Sequence, residues 1–569
     1  MRTYGAFGRY SDWVCTHDTV DDNDRIAIRQ SIRRMGRSPL FSIILLPIAN
    51  GGHSIPHTAI ASIRDQIYPH LELWLPAVPA EIDIKADCRL HVISTSAGAD
   101  LASMFNTALA EVEGDFVLPL PWDASLAETA LYELALAIAE CPDVDLLYTD
   151  EDQMGATGER CAPYFKTGWD PDLALGRDAI GLLAAYRRAV LQQLGGMQLQ
   201  ANSVALTLYD LSLRVAFAVP ARHIWHIPAV LCHRDSGAGS LLGWNAEAAR
   251  QIVRAHLGAL EERAIVVPAP LAPCWSRVVW DLPDRAPLVS IIVPTRDHAE
   301  LLEKCAKSIL SHTAYPAIEL LIVDNDSREP TAVELLHRLS QDARVRVLSY
   351  LLPFNYAAQI NLAARQARGE VLVLLNNDTE ALMPEWLREM VSHALRPDVG
   401  AVGAKLIYPD LRIQHAGMVL GPGLWPQHQL RFADRMDAGP NGELALTRTV
   451  SVVTGACLAL RRSVFAEVGG LDERLKVAFN DVDICLRIGD CGYRVVWTPF
   501  AELLHLESAS RGRDDTSEKL AIAEREAQLF WRSWRSLRHD DPFHNPNLVY
   551  GWDALSLSWP PRRKRPWLT

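Results

Sequence analysis

A polar cluster at residues 376–380 follows the apolar run Val371–Leu375, and its residue types can hold a cation. Five consecutive apolar residues predict a strand that is buried on both faces. In open α/β sheets, ligands bind at the carboxyl ends of the strands. A carboxylate at that place can bind a hard divalent cation, which in turn binds the phosphates of a substrate. The alternative is a polar turn that caps a helix beginning near Pro384.

Further polar residues stand where they could meet this cluster. Pro294, Thr295 and Arg296 end one predicted strand, and Asp324 ends another. Asp481 precedes a predicted amphipathic helix. Each position alone is compatible with an ordinary turn or helix cap. Together they predict several carboxylates along one rim of a single sheet.

Strand and helix signals alternate along the chain, which is typical of an α/β sheet with parallel strands. The succession occurs twice. Residues 42–47 (SIILLP) are repeated at 290–294 (SIIVP), and residues 210–214 (DLSLR) are repeated at 483–487 (DICLR). The separation of matching segments grows along the chain, as expected of an internal duplication with insertions in its loops.

The repeat predicts five segments. They are an N-terminal extension (1–38), a first α/β domain (39–262), a proline-rich linker (263–287), a second α/β domain (288–515) and a C-terminal helix with a tail (516–569).

Bulk composition limits the function. A chain of 569 residues is too long for one hydrophobic core. Its net charge of −13 argues against a general nucleic-acid binder, because such proteins neutralise phosphates with a basic surface. The ten cysteines include no Cys-x-x-Cys pair, which favours reduced thiols. No apolar run reaches the roughly 18 residues of a transmembrane helix, and the first residues contain no signal-peptide core. We therefore expect a cytoplasmic protein without a transmembrane segment.

Short runs in the second half carry a family resemblance through their order and spacing. They are Pro353-Phe-Asn-Tyr356, Leu375-Asn-Asn-Asp-Thr-Glu380, Ile413-Gln-His-Ala-Gly417, Val453-Thr-Gly-Ala-Cys457, Gly469-Gly-Leu-Asp-Glu473, His505-Leu-Glu-Ser-Ala-Ser-Arg-Gly512 and Asp541-Pro-Phe-His-Asn-Pro-Asn547. Residues 282–548 thereby resemble family 2 glycosyltransferases of a bacterial surface-polysaccharide, rhamnosyltransferase-like branch. The resemblance implies two tandem GT-A-like α/β domains with mixed, mainly parallel sheets.

The resemblance also implies a nucleotide pocket. Asp324 would accept the N3 hydrogen of a pyrimidine base, and Pro294, Thr295 and Arg296 would line the pocket. A plain Asx turn is the alternative for Asp324.

A metal site is implied where the family has its Asp-x-Asp motif, at Asn376, Asn377 and Asp378. Because the first acidic position is Asn376, Mn²⁺ or Mg²⁺ would rest mainly on Asp378 and the donor pyrophosphate. His505 would be a further ligand or a pyrophosphate contact, and a structural histidine is the alternative.

Asp481 resembles the general base of an inverting transfer, which takes the proton of the acceptor hydroxyl. Thr454 and Gly455 would pass under the donor sugar, and Arg511 would reach the pyrophosphate. Asp483, which pairs with Arg487 by its spacing, is expected to be structural.

The first half lacks this chemistry. Ala77, Trp122 and Leu208 occupy the positions that match the base-binding, metal-motif and general-base residues, and only Asp123 persists, with His233 as a second candidate. We therefore expect a degenerate domain. Residues 148–152 (YTDED) are expected to be an acidic surface turn, with a relocated site as the alternative.

These observations predict an inverting, metal-dependent glycosyltransferase. Its donor would be a UDP- or dTDP-linked sugar, and its acceptor a growing bacterial surface glycan, free or lipid-linked. The alternative is a non-catalytic carbohydrate-binding or scaffolding protein. The basic residues 562–565 predict a solvated terminus, and peripheral contact with the inner face of the plasma membrane is the alternative.

Overall fold

The computed structural model describes residues 10–48, 57–77, 87–94, 99–200, 202–235, 244–421, 425–507, 517–535, 541–551 and 556–568. The helices of the first half are α1 (Tyr10–His17), α2 (Asp22–Arg34), α3 (His57–Arg64), α4 (Leu101–Glu111), α5 (Ala130–Glu140), α6 (Pro171–Gly176), α7 (Arg188–Gln193), α8 (Val204–Ala218) and α9 (Ala246–Ala259). Its strands are β1 (Phe41–Leu46), β2 (Leu71–Leu75), β3 (Leu90–Val92), β4 (Phe116–Pro121), β5 (Ala124–Leu126), β6 (Leu146–Met154), β7 (Arg160–Tyr164), β8 (Ala184–Arg187) and β9 (Ile224–Asp235).

A hairpin of β10 (Ala264–Ala269) and β11 (Ala272–Trp280) leads to the second half. The strands there are β12 (Val289–Thr295), β13 (Ile318–Asp324), β14 (Val345–Ser349), β15 (Val371–Leu375), β16 (Thr379–Ala381), β17 (Val399–Ile407), β18 (Ile413–His415), β19 (Met418–Val419), β20 (Gln427–His428), β21 (Arg448–Thr449), β22 (Cys457–Arg461) and β23 (Arg494–His505). Its helices are α10 (Ala299–His312), α11 (Pro330–Leu339), α12 (Tyr356–Gln366), α13 (Trp386–Ala394), α14 (Arg462–Glu467), α15 (Asn480–Asp490) and α16 (Ser517–Ser533).

The two large sheets have the same strand order. The first runs β3-β2-β1-β4-β8-β6-β9-β5 and the second β14-β13-β12-β15-β22-β17-β23-β16. In each sheet the strands toward one edge pair in parallel, namely β2-β1-β4 and β13-β12-β15. The next pair in each sheet, β4-β8 and β15-β22, is antiparallel. Every residue of β15 is buried, as predicted for a strand covered on both faces. The predicted fold class, tandem α/β domains with mixed sheets, is confirmed.

The two halves also share a set of side-chain hydrogen bonds. The Ser290 hydroxyl donates to Glu319 (2.6 Å) and accepts the Gly369 amide N–H (2.8 Å). A Cβ atom on Gly369 would lie 2.5 Å from the Ser290 nitrogen, so only glycine fits there. The same contacts are made in the first half by Ser42, Glu72 and Gly114.

The proline-rich segment 263–287, predicted as a linker between the two domains, contains the antiparallel β10–β11 hairpin. Val266 and Trp280 of the hairpin pack in one apolar cluster with Val253 of α9. Prolines are tolerated because a two-stranded sheet has only edge strands, where the missing N–H groups need no partner.

Residues 148–152, predicted as a surface turn, lie in the buried strand β6 instead. Asp152 is 2% exposed. Its carboxylate accepts hydrogen bonds from the Tyr10 hydroxyl (2.7 Å) and Arg160 (2.6 Å), and it lies 2.6 Å from His233 Nδ1. The prediction failed because these partners are distant along the chain.

The basic tail is not the solvated terminus that the sequence predicted. Arg563 contacts Glu133, Arg565 contacts Asp24, and the Trp567 indole N–H donates to Asp24 (2.7 Å). The tail therefore packs on the first half, beside α2. Among the described residues, no helix is long and apolar enough to cross a membrane.

A buried ion cluster joins the two halves. The carboxylate of Asp172, in α6, lies between the guanidinium groups of Arg396 and Arg494. Burial raises the pKa of Asp172, but the two guanidinium groups outweigh that effect and hold this pKa well below its ordinary value. The neighbouring Asp170 accepts hydrogen bonds from the amide and the hydroxyl of Thr449, at 2.7 and 2.9 Å.

Replacing Asp172 tests this contact. The Asp172→Asn substitution removes the buried carboxylate that Arg396 and Arg494 share and leaves them with the half-exposed Asp398, which should lower the free energy of unfolding by roughly 3 kcal/mol. Urea unfolding followed by tryptophan fluorescence measures the change. Asp410→Asn, which removes an exposed partner of Arg412, is the control and should leave the unfolding midpoint almost unchanged. Equal midpoints for both variants would show that the cluster contributes nothing to stability.

Candidate active site

A cavity of about 740 Å³ opens at the carboxyl ends of β12 and β15, within the range expected of a small-molecule site. It brings together all of the predicted site residues except Asp324 and Arg511. Those residues are Pro294, Thr295, Arg296, Asn376, Asn377, Asp378, Thr454, Gly455, Asp481 and His505. Arg511 lies outside the described residues.

Strand pairing sets the acidic end of the cavity. β16 pairs with β23 so that Thr379 stands opposite His505, which brings Asp378 beside the imidazole. His505 Nε2 lies 3.2 Å from Asp378 Oδ1. His505 Nδ1 lies 2.6 Å from the side-chain oxygen of Gln414, an acceptor, so Nδ1 carries the proton. In the neutral ring, Nε2 then presents a lone pair to the carboxylate.

These two facing acceptors fit a divalent cation. A divalent cation between them would be bound by both atoms, whereas a protonated His505 would instead donate its Nε2–H to the carboxylate. The Asn376 side-chain nitrogen lies 3.4 Å from His505 Nε2. Among the described residues there is no group of three or more acidic, histidine or cysteine side chains that would hold a metal alone. Mg²⁺ is commonly bound by one or two carboxylates together with substrate phosphates, and Asp378 with His505 fits such a partial ligand set.

Asn377 joins this region to the end of β12. Its side-chain N–H donates to the Thr295 hydroxyl at the end of β12 (3.0 Å), and its side chain is buried. Arg296, the next residue, is about half exposed at the cavity wall. The following residue, Asp297, has a positive φ of 52°. Its carboxylate accepts the amide N–H groups of Arg328 and Glu329, which directly precede α11.

Asp481 stands at the start of α15. Its Oδ2 accepts the Gly455 amide N–H (2.9 Å), and Oδ1 accepts the Val482 amide N–H (2.9 Å). Burial raises the pKa of Asp481, and these amides only partly offset the effect. A carboxylate with a raised pKa holds a proton more strongly than an exposed aspartate does, which suits a general base.

The backbone at Gly455 lies close to both Tyr356 and Asp481. A Cβ atom on Gly455 would lie 3.3 Å from the Tyr356 hydroxyl and 3.5 Å from the Asp481 Cβ. The amide of Thr454 donates to His415 Nε2 (3.3 Å). Burial is the main cause that lowers the pKa of His415 far below its ordinary value, and the neighbouring His428 and Arg448 lower it further. This imidazole is therefore neutral.

Phe479 has a left-handed backbone with φ of 64°, which is costly for a residue with a side chain. It immediately precedes α15. Its ring is stacked between Trp425 (5.0 Å) and Phe530 (4.9 Å). The stack compensates for a strained backbone that turns the chain into the helix carrying Asp481.

Asp324 ends β13 beside the cavity but does not line it. Its Oδ1 accepts the amide N–H of Ser327, three residues on (3.1 Å), which is a capping type of contact and not the two-residue Asx turn that the sequence left open as an alternative. Its Oδ2 makes no hydrogen bond with the described residues. Asn325, the next residue, lies on the wall and donates to the carbonyls of Tyr350 and Leu352.

The sequence analysis missed several wall residues, among them Asn325, Tyr356, Gln359 and Phe479. Tyr356 belongs to the Pro353–Tyr356 run that carried the family resemblance, and that membership was a usable signal. The expected structural pairing of Asp483 with Arg487 is present, at 2.8 Å.

The corresponding region of the first half is different. Both carboxylate oxygens of Asp123 lack a hydrogen-bond partner among the described residues, and Arg234 lies 3.9 Å away. Burial raises the pKa of Asp123. In the sequence repeat His233 matched His505, but strand pairing places Arg234, opposite Ala124, at the position where His505 stands opposite Thr379. His233 instead pairs with Asp152 through Nδ1. Leu208, at the position of Asp481, is an apolar core residue.

Part of the chain matches a known protein family, and nearly all of the chain is similar to parts of longer proteins. Residues 290–469 match the family described as Glycosyl transferase family 2. The chain is 38% identical to the uncharacterised protein y4gI of Sinorhizobium fredii, over 94% of this chain and 60% of that protein. It is 37% identical to the O-antigen biosynthesis protein RfbC of Myxococcus xanthus, over 92% of this chain and 41% of that protein. The chain thus spans less than two thirds of these two relatives.

A shorter relative covers the second half. The N-acetylglucosaminyl-diphospho-decaprenol L-rhamnosyltransferase of Mycobacterium tuberculosis is 30% identical over 262 residues, which are 42% of this chain and 81% of that protein.

The role of Asp324 can be tested by nucleotide binding. If Oδ2 accepts the N3 hydrogen of a pyrimidine, Asp324→Ala should weaken binding of both UDP and dTDP roughly tenfold or more, the usual effect of losing a charged hydrogen bond. Isothermal titration calorimetry measures both affinities. Asp326→Asn, which alters the exposed partner of Arg328, is the matched control. Unchanged affinity for both nucleotides would mean that Asp324 does not bind the base and serves only to accept the Ser327 amide N–H.

Proposed function

The chain belongs to glycosyltransferase family 2, and from this premise we propose that its second half transfers a sugar from a UDP- or dTDP-linked donor to a bacterial surface glycan. The transfer inverts the configuration of the sugar. One observation carries the proposal: the Asp481 carboxylate and the Asp378–His505 pair line the same cavity.

The relatives support the choice of substrate class. One is named for O-antigen biosynthesis, and another transfers L-rhamnose to N-acetylglucosaminyl-diphospho-decaprenol. A glycan hydroxyl carried on a diphospho-lipid is therefore the acceptor that we propose. A short-chain N-acetylglucosaminyl-diphospho-lipid is a suitable probe, because it keeps the sugar and diphosphate and is easier to dissolve.

Asp378 and His505 would hold Mn²⁺ or Mg²⁺ together with the donor diphosphate. When bound, the cation supplies positive charge that stabilises the departing nucleoside diphosphate. Gln414 fixes the His505 tautomer by accepting its Nδ1–H. Asn377 and Thr295 hold one another at the nucleotide side of the same rim.

Asp481 takes the proton of the acceptor hydroxyl. The hydroxyl oxygen forms the new bond to the anomeric carbon while the bond from that carbon to the diphosphate oxygen breaks. The amides of Gly455 and Val482 hold the carboxylate in place, and the absence of a side chain on Gly455 leaves room beside it for the reacting sugars.

The first half has a structural role in this proposal. Its Asp123 lacks a metal-binding histidine partner of the kind that Asp378 has, and Leu208 supplies no base. It supports the second half through the Asp172 cluster.

Donor screening tests the proposal. UDP-glucose, UDP-N-acetylglucosamine, dTDP-L-rhamnose and GDP-mannose are incubated with the acceptor probe, and release of nucleoside diphosphate is measured. We expect release from a pyrimidine donor only, loss of release in EDTA, and recovery with excess Mn²⁺ or Mg²⁺. Full turnover in chelator with a verified metal-free protein would contradict the metal requirement. Glycan binding without turnover from any donor would favour the non-catalytic alternative.

The general base is tested by Asp481→Asn, which keeps the size of the side chain but cannot take the acceptor proton. Turnover should fall by about 10²–10⁴-fold, the usual contribution of acid–base catalysis, while UDP binding is retained. Asp123→Asn in the first half is the matched control and should leave turnover nearly unchanged. Circular dichroism confirms that both variants are folded. Comparable losses in the two variants would mean that the first half is catalytic.

A further inference from the structure

A buried carboxylate from α16 binds three successive backbone amides of the cavity wall. Glu526 accepts the N–H groups of Lys476 (3.0 Å), Val477 (3.1 Å) and Ala478 (2.8 Å). Glu526 is 5% exposed. Val477 and Ala478 line the cavity.

The same helix and the residue after it, Trp534, hold the residues that follow this segment. Phe530 stacks under Phe479, as described above, and the Trp534 indole N–H donates to Asp483 Oδ1 (3.0 Å). Helix α16, with Trp534, therefore contacts the chain on both sides of Asp481, from residue 476 to residue 483. Glu526 supplies the charged part of this contact.

The lining of the cavity is chemically mixed. It includes the charged or polar side chains of Arg296, Asp378 and His505, which suit a nucleoside diphosphate and its cation, and the apolar or aromatic side chains of Phe354, Val477, Ala478 and Phe479. Asp481 is two residues after Phe479 in the chain. Because a general base must reach the acceptor hydroxyl, the acceptor must lie on the side of the cavity that carries Asp481.

Aromatic rings on this side extend to the surface. Phe354 is 42% exposed, and Trp425, stacked on Phe479, is 41% exposed. Exposed aromatic rings beside a cavity commonly mark a binding surface, and their flat faces suit the C–H groups of a sugar ring.

We propose that residues 476–479, with Phe354 and Trp425, form the acceptor-sugar subsite, and that Glu526 is the positioning residue that holds this subsite in register with Asp481. The proposal rests on the proposed function. Glu526 touches no substrate and acts through the three amides. Hydrogen bonds from amides to a carboxylate are stronger than those between neutral groups, so one side chain can hold the segment in place.

The test compares Glu526→Ala and Glu526→Gln with Glu524→Gln, an exposed position on the same helix. Glutamine keeps one acceptor oxygen, so its effect should be intermediate. We expect kcat/KM for the acceptor probe to fall at least tenfold in Glu526→Ala, and the Kd for UDP with Mn²⁺ to change less than twofold. The Glu524→Gln variant should behave as the unaltered protein.

Hydrogen exchange followed by mass spectrometry gives a readout that does not need turnover. The peptide covering residues 474–482 should exchange at least tenfold faster in Glu526→Ala, and in the unaltered protein it should gain protection when the acceptor probe is added. If no donor supports turnover, the proposed function fails, and these two exchange measurements still decide the positioning role and the subsite.

Three results would overturn the inference. UDP binding that weakens as much as acceptor use would show a general collapse of the site. Faster exchange with unchanged acceptor kinetics would show that the segment does not contact the acceptor. If the acceptor probe did not slow hydrogen exchange in residues 474–482, this segment would not be part of an acceptor subsite.

Discussion

The carboxylate of Asp172 lies between two guanidinium groups in a contact that is nearly closed to water, and the geometry of the second half depends on it. Buried charges of this kind are tolerated only when they are paired, so the two halves must stay together. Arg494 is the first residue of β23, and His505 is the last. Strand β23 thus runs from the interface between the halves to the end of the cavity that carries Asp378 and His505. The first half has Leu208 at the position of Asp481, and it anchors the strand that carries His505.

Comparison of the halves separates what maintains the fold from what performs the chemistry. The Ser290–Glu319–Gly369 contact and the strand order are kept in both halves, because they depend on close packing and buried polar groups that any copy of the fold must satisfy. The site residues are not kept. Arg234 lies beside Asp123 in the first half, whereas His505 lies beside Asp378 in the second. A shared fold therefore does not imply a shared function.

Sequence analysis could predict the buried strands, the duplication and most of the cavity, because those signals are local: apolar runs, polar strand ends and short motifs. It could not predict contacts between distant segments. Asp152 looked like part of a surface turn because Tyr10 and Arg160 are not adjacent to it in sequence. The basic tail looked solvated because Glu133 lies 430 residues from Arg563. Glu526 carried no motif, since three backbone amides can bind a carboxylate whatever their side chains are.

Two copies of one fold would thus provide a single nucleotide site. Calorimetric titration of the full chain with UDP in the presence of Mn²⁺ tests this through the stoichiometry of binding. We expect one UDP per chain, and loss of that site when Asp378 is replaced by asparagine, because the charge that would hold the cation against the diphosphate is removed. Two UDP molecules per chain, or one whose affinity is unchanged in Asp378→Asn, would contradict it.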